Sequence, residues 1–465
     1  MNYFSTRDSS QTPLNFSDVI LSGLAPDGGL YVPETYPAFT RENLKGMSSL
    51  SYSDLAFACV KPFVGDDFNH EQLQKILTDC YSSPVFPDAD ITPVNFLFDT
   101  LYLQDLSQGP SLAFKDLALQ FLGRCMSYLL QREGRELCIL GASSGDTVSA
   151  AEQALKSKPN IKVVMLTPKT GMSPFQKAQA GSILDENIFN VSIDGPFDLC
   201  QDLVKAVNRD ADFKAQYHLG AVNSINWGRI LAQLVYYFKG YFSVTKKIGD
   251  PCDVVVPSGN FGNVLAGYIA KRCGLPLRRL IVATNENTVL HRFFQEGLYQ
   301  KTAVQVTSSP SMDISKASNL ERFFFDLAGR DPSQLSDWMH TFEGETGLDL
   351  GSALLHEARD FGFYSGASTH DERQVVIKDV YERCGRVVDP HTAAAIKVAQ
   401  DYRQDEVPML CMETAKPCKF EAAVEASLGF IPKRPHGFEG IEAAKQRFYD
   451  VDANEAALKD FIKGI

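Results

Sequence analysis

Apolar residues follow two spacings along this chain, and the balance between them changes near residue 111. Before it, residues 53–62 and 69–81 carry apolar positions three and four apart, which predicts two helices. Ala25-Pro26-Asp27-Gly28-Gly29-Leu30-Tyr31-Val32-Pro33 predicts a turn running into a short extended piece. After it, short apolar runs alternate with helical stretches. The spacing predicts a helix over 115–131, with Leu117, Phe121, Cys125 and Leu129 on one face. Runs at 136–140, 161–167, 253–257 and 279–284 predict strands, with a further extended piece at 188–193. Between and after them, helices are expected at 146–157, 198–209, 263–272 and 286–296. The alternation resumes with helices 372–384 and 392–403 and a strand 407–413.

Strands this short and this apolar belong to parallel sheets covered on both faces. The expected class is α/β, doubly wound, with mostly parallel sheets. Residues 1–100 read as an N-terminal α/β extension, and 101–304 with 376–465 as an α/β core. Segment 305–375 breaks the rhythm, is richer in Ser, Asp and Gly, and reads as an insertion or subdomain.

With 465 residues and 44% hydrophobic content, the chain has enough apolar material for a large core. A formal net charge of −12 argues against nucleic acid as a partner, but leaves room for a local cationic pocket that takes a small anion. The N-terminus lacks a basic stretch followed by an apolar run, and no stretch approaches the roughly 18 apolar residues of a membrane span. None of the ten cysteines forms a Cys-x-x-Cys pair. A cytoplasmic protein with reduced core thiols and no bound metal is expected.

Several segments carry chemistry. Ser258-Gly259-Asn260-Phe261-Gly262-Asn263 lies between an apolar strand and a helix, where glycines and helix-start amides suit a phosphate. It is neither a Walker loop nor a dinucleotide fingerprint, and it also reads as an ordinary tight turn. Gly141-Ala142-Ser143-Ser144-Gly145-Asp146-Thr147 occupies a similar place. It matches the nucleophile elbow of a serine hydrolase, with Ser143 as nucleophile, and equally an anion cradle or a plain helix cap. Lys115, in Leu112-Ala113-Phe114-Lys115-Asp116, sits at a helix start in apolar company, against both the helix dipole and solvation. A covalent partner on its nitrogen would remove that conflict, but local chemistry alone favours a snorkelling lysine paired with Asp116. Asn223-Ser224-Ile225-Asn226-Trp227-Gly228-Arg229 precedes another helix and suits a phosphate or carboxylate, or else holds a capping Asn beside a surface Arg229. Thr414, in Glu413-Thr414-Ala415-Lys416-Pro417, follows a late strand at the end where open α/β sheets bind ligands.

No single segment decides the function. Taken in order, they do more. Tyr3-x-Ser5-Thr6-Arg7, the Ala25 to Leu30 turn, Leu112-Ala113-Phe114-Lys115-Asp116, Ser144-Gly145-Asp146-Thr147, Asn223-Ser224-Ile225-Asn226, Ser258-Gly259-Asn260-Phe261-Gly262-Asn263 and Asp389-Pro390-His391-Thr392 resemble the threonine synthase family, in its longer form with an N-terminal extension. The resemblance runs from Tyr3 to about Phe420. It implies the type II pyridoxal-phosphate fold, its core of 101–304 and 376–465 in two subdomains with the active site between them, with pyridoxal 5'-phosphate as cofactor and Lys115 as both Schiff-base lysine and proton carrier. Gly259, Asn260, Phe261, Gly262 and Asn263 would hold the cofactor phosphate, and Thr414 would face the pyridine nitrogen. Ser143, Ser144, Gly145, Asp146 and Thr147 would receive the substrate carboxylate, and Asn226 and Arg229 the substrate phosphate. The implied reaction turns O-phospho-L-homoserine and water into L-threonine and phosphate. A related lyase that releases a 2-oxo acid, ammonia and phosphate is the alternative. Two positions depart from the family pattern. Val148 stands where Gly is frequent, and Lys416 where His is expected in Thr-Ala-His-Pro.

Overall fold

Val254, Val255 and Val256 are fully buried along one strand, as expected for a run apolar on both faces. A computed structural model describes residues 1–465 except Ser144, Gly171 and Glu345. In chain order its strands are β1 (Tyr3–Ser5), β2 (Tyr31–Pro33), β3 (Val94–Phe98), β4 (Leu101–Asp105) and β5 (Leu137–Ala142). Then come β6 (Ile161–Pro168), β7 (Ile188–Ile193), β8 (Leu219–Gly220), β9 (Cys252–Pro257) and β10 (Leu277–Thr284). The last are β11 (Leu298–Tyr299), β12 (Leu348–Asp349), β13 (Phe363–Ala367), β14 (Met409–Glu413) and β15 (Tyr449–Asp450).

Two sheets carry the architecture. The larger has the order β13-β10-β9-β14-β4-β3, parallel except for the β3–β4 hairpin. The smaller, β15-β7-β6-β5-β8, is parallel throughout. Helices cover both. Helix Lys115–Glu133 buries Leu117, Phe121, Cys125 and Leu129 as one face, and Gly134 in the left-handed region ends it. Helix Trp227–Val244 packs between this helix and Gly262–Arg272 in the largest core cluster.

Several helices begin on side-chain caps that the sequence displays. Thr369 and Glu372 form a reciprocal capping box, and Asp389 accepts from the amides of His391 and Thr392 ahead of Pro390–Tyr402.

Two boundaries differ from expectation. Strand β13 falls inside segment 305–375, yet pairs with β10 from Leu280–Phe363 to Thr284–Ala367 and completes the larger sheet. Its Phe-Tyr-Ser-Gly-Ala sequence lacks the long apolar run of its neighbours, and Gly366 lies against Val398, where a Cβ would come within 2.7 Å. Strand β3 falls inside residues 1–100 but also joins that sheet. The remainder of the first hundred residues packs into the main core through Tyr3, Phe16, Phe63 and Phe68. Nine of the ten cysteines are buried, and none is in a disulfide. No helix among the described residues is long and apolar enough to cross a membrane.

Candidate active site

Parallel pairing of β4 with β14 carries the chain segments that follow them side by side. The Leu106 amide donates to Glu413 O at 3.0 Å, the Phe114 amide to Thr414 O at 2.9 Å, and the Lys416 amide to Leu112 O at 3.0 Å. Lys115 and Thr414, 299 positions apart in the numbering, are thereby held next to each other by backbone alone. Each lies at the C-terminal end of the larger sheet, where open α/β folds place ligands.

The Lys115 side chain is 13% exposed, and its Nζ lies 3.6 Å from Asp146 Oδ2, at the start of the helix that follows β5. Its partner is therefore Asp146 and not the adjacent Asp116. Asp116 turns inward instead and accepts from the Ser111 amide at 2.8 Å. Burial pushes the Lys115 ammonium below its ordinary pKa; Asp146 opposes the shift, and the cations of Arg229 and Lys419 add to it. The Asp146 carboxyl is lowered as well, for the opposite reason. Burial alone would raise it, but Lys419, Lys115, the Gln176 amide and His391 together hold it well below the usual carboxylate range. This carboxylate is occupied by Lys115, Lys419 at 3.1 Å and Gln176 at 2.9 Å. The expectation that Asp146 receives a substrate carboxylate is corrected for its side chain, since two like charges there would repel. The backbone at Gly145, Asp146 and Thr147 still forms a helix start. Ser143 Oγ accepts from the Gly145 amide at 3.2 Å, and no histidine hydrogen-bonds to Ser143 among the described residues. Ser144 lies outside the described residues.

Residues 258–261 form the loop between β9 and helix Gly262–Arg272, and Gly262 and Asn263 open that helix. Phe261 adopts the left-handed region at φ 64°. Its ring leaves the loop and stacks among Phe294, Phe323 and Phe363, so only its backbone faces the site. A Cβ on Gly259 would come within 2.2 Å of Ser311 O, so the two backbones are in close contact. Asn260 O accepts from the Asn319 amide and Asn319 Nδ2, each at 3.1 Å. Tyr236 and Tyr237 both donate to Asn263 Oδ1. Ser258 Oγ and Asn263 Nδ2 are buried without a hydrogen-bond partner among the described residues. Unspent donors at a helix start suit the oxygens of a bound phosphate.

Asn226 and Arg229 part company. Asn226 is wholly buried, donates through Nδ2 to Ile20 O at 2.8 Å, and accepts from the Gly228 amide at 3.0 Å. It is a cap, and its complete burial with one donor and one acceptor already spent inside the protein argues against its meeting a substrate phosphate. Arg229 is 4% exposed, donates to Val222 O at 3.1 Å, and keeps a buried Nε without a partner. Burial lowers its pKa to about 10, where a nearby anion would relieve it. It is not the surface residue of the bland alternative.

Three contributors went unforeseen. Asn319 also donates to Ser224 O at 3.1 Å, so one side chain ties loop 223–226 to loop 258–263. Arg322 donates to Ile225 O at 2.7 Å and Tyr31 O at 2.9 Å, and Arg7 with Thr6 binds Glu321 beside it. The first family-like motif, with Tyr31 just after the second, thus braces the site from outside. Lys419 is the third, a wholly buried cation on the turn after Thr414. Lys416 points elsewhere, pairing with Asp105 at 2.5 Å. Glu413 pairs with Arg386; burial and Asp105 nevertheless push its carboxyl up to about 7.

A buried lysine amine with a lowered pKa, a phosphate-ready loop and a hydroxyl at the end of β14 together define a pyridoxal-phosphate-dependent enzyme, and residues 90–369 match the family of that description. Residues 2–81 match the family described as threonine synthase N terminus, and 392–462 the one described as threonine synthase, C-terminal. The threonine synthase of Methylobacillus glycogenes is 49% identical over 473 aligned positions, covering 99% of each chain. The crystal structure of pyridoxal-phosphate-bound threonine synthase from Brucella melitensis superposes with a TM-score of 0.96 at 37% identity, covering 100% of this chain and 99% of that one. The yeast threonine synthase structure gives 0.93 at 35% identity, covering 99% and 98%. The chain belongs to the threonine synthase family, and its cofactor is pyridoxal 5'-phosphate.

Proposed function

We propose that this chain converts O-phospho-L-homoserine and water into L-threonine and phosphate, with Lys115 as cofactor anchor and proton carrier. The observation that carries the reading is the buried Lys115 amine facing Asp146, with Thr414 locked beside it by the Phe114 amide. The backbone of Gly259, Asn260, Phe261 and Gly262, with Asn263 Nδ2, would hold the cofactor phosphate. The Thr414 hydroxyl would meet the ring nitrogen, and a hydroxyl there does not favour a protonated ring as a carboxylate would. Bound in this site, the cofactor supplies an electron sink for charge developing at the substrate Cα.

The protein's own groups do the rest. Lys115, with a lowered affinity for its proton, takes the Cα proton as a general base and serves the neighbouring carbons. Losing a Cβ proton and the Cγ–O bond releases phosphate. A proton then goes to Cγ, which becomes the methyl carbon, water adds its hydroxyl at Cβ, and a proton returns to Cα. One mobile amine within reach of three adjacent carbons suits this succession. Ser143 and the backbone at Gly145, Asp146 and Thr147 would receive the substrate carboxylate, and the unpaired Arg229 Nε its phosphate. Released phosphate would itself be a base for the later transfers. A cytoplasmic location is part of the reading, supported by ten cysteines outside any disulfide.

Parallel assays of phosphate, threonine and 2-oxobutanoate test the reaction. Phosphate and threonine in equal amounts support it. Phosphate matched by 2-oxobutanoate would instead assign the lyase outcome.

A further inference from the structure

The mechanism above uses one lysine, yet the site contains two. Lys419 lies on the turn Pro417–Phe420, its side chain 0% exposed. Its Nζ donates to Ser111 O at 2.7 Å and Gln179 Oε1 at 2.5 Å, and faces Asp146 Oδ1 at 3.1 Å. An ammonium has three N–H donors, and three acceptors surround this one, so nothing remains for a substrate. Binding substrate is therefore not its task.

Asp146 is divided between the two lysines. Oδ1 receives Lys419 and Gln176; Oδ2 is left for Lys115, at the longer separation of 3.6 Å. Other charges close the set. Arg229 faces Lys115 from helix Trp227–Val244, His391 faces Asp146 from helix Pro390–Tyr402, and Asp116 lies on the helix that Lys115 begins. Asp116 is wholly buried, and burial raises its carboxyl to about 7, so it is a weak counter-ion. The attraction that would keep Lys115 charged therefore comes chiefly from Asp146.

We propose that Lys419 is a positioning residue: its buried ammonium takes the closer share of the Asp146 carboxylate, leaving the Lys115 amine without a dedicated counter-ion and free to give up its proton. The same contacts fix Ser111 O, four residues before Lys115, against helix Pro174–Gly181. The proposal rests on Lys115 being the reactive amine, but its test reads the amine directly and not turnover.

The full-length chain, freed of cofactor, is labelled with an amine-acylating reagent across a pH series, and the extent at Lys115 is read by peptide mass spectrometry. In Lys419→Met, Asp146 is left to Lys115, and the half-labelling pH should rise by about one unit or more. In Lys419→Met/Asp146→Asn it should return to the wild-type value or below. A Lys115 titration unmoved in Lys419→Met, or moved upward equally in the double variant, overturns the proposal. If Lys419→Met does not fold, Lys419→Gln keeps a donor for Ser111 O and carries the same expectation. Failure of the cofactor to attach at Lys115 would overturn the functional reading while leaving this titration result to stand or fall by itself.

Discussion

Lys115 Nζ lies 3.6 Å from Asp146 Oδ2, while the other oxygen of the same carboxylate lies 3.1 Å from Lys419. One buried anion thus serves two buried cations. Asp146→Asn preserves size and removes that charge. It should cost about 3–5 kcal/mol, because Lys419 is left charged and buried without a counter-ion. Guanidinium unfolding midpoints check this, and removing both charges in Asp146→Asn/Lys419→Met should recover much of the loss.

Asp116 gives a pH-dependent signature. Burial raises its carboxyl from 3.8 to about 7 in the folded protein. Between about pH 4 and 7 the folded state keeps a proton that the unfolded chain has released, so stability falls as pH rises across that window. Above the folded value the penalty is constant. Asp116→Asn cannot ionise. The melting temperature of the variant relative to wild type should therefore climb from pH 4 to 7 and then level off. A difference independent of pH would contradict the assignment. Glu413, raised to about 7 by burial and Asp105, tilts both proteins alike and cancels in the comparison.

Lys416 stands where the family pattern has histidine, and its 2.5 Å contact with Asp105 explains its place. Asp105 is 4% exposed and also accepts from Ser107 and Gln108. Lys416→Met should destabilise by about 3–5 kcal/mol, since an unpaired carboxylate stays buried. Asp105→Asn combined with it should cost clearly less than the sum of the two single changes, with a coupling of about 1–3 kcal/mol in a denaturant double-mutant cycle.

Gly259 has no room for a side chain, with Ser311 O 2.2 Å from the position of a Cβ. His391 holds Ser311 in place, accepting from its amide at 3.1 Å while Asp389 fixes the other ring nitrogen at 2.7 Å. Gly259→Ala must therefore displace the phosphate loop and not its neighbour. Cofactor retention should weaken by about tenfold or more, equivalent to about 1.4 kcal/mol, in an absorbance titration of the cofactor-free chain.

Much of the fold was legible because β5, β6, β9 and β10 bury almost every side chain, which imposes unbroken apolar runs on the sequence. Strand β13 was not, because an edge strand containing Ser365 and Gly366 needs no such run. In the site, loop 258–263 carries a local signal, a strand followed by glycines and a helix start, whereas Lys115 stands out only through the order of the motifs, because its local chemistry alone favours a snorkelling lysine. Lys419 and Asn319 were not. A buried lysine reads as any surface lysine until its partners Ser111 and Gln179 arrive from hundreds of residues away. Asn226 misled for the complementary reason: a cap and a ligand group use the same side chain, and the contact with Ile20 that decides between them is remote in sequence.

The most direct test is borohydride reduction of the purified holoenzyme followed by peptide mapping. The absorbance near the visible edge should be lost and a pyridoxyl group should appear on Lys115, with neither adduct nor turnover in Lys115→Ala. A colourless protein, or an adduct on any other lysine, Lys419 included, would contradict it.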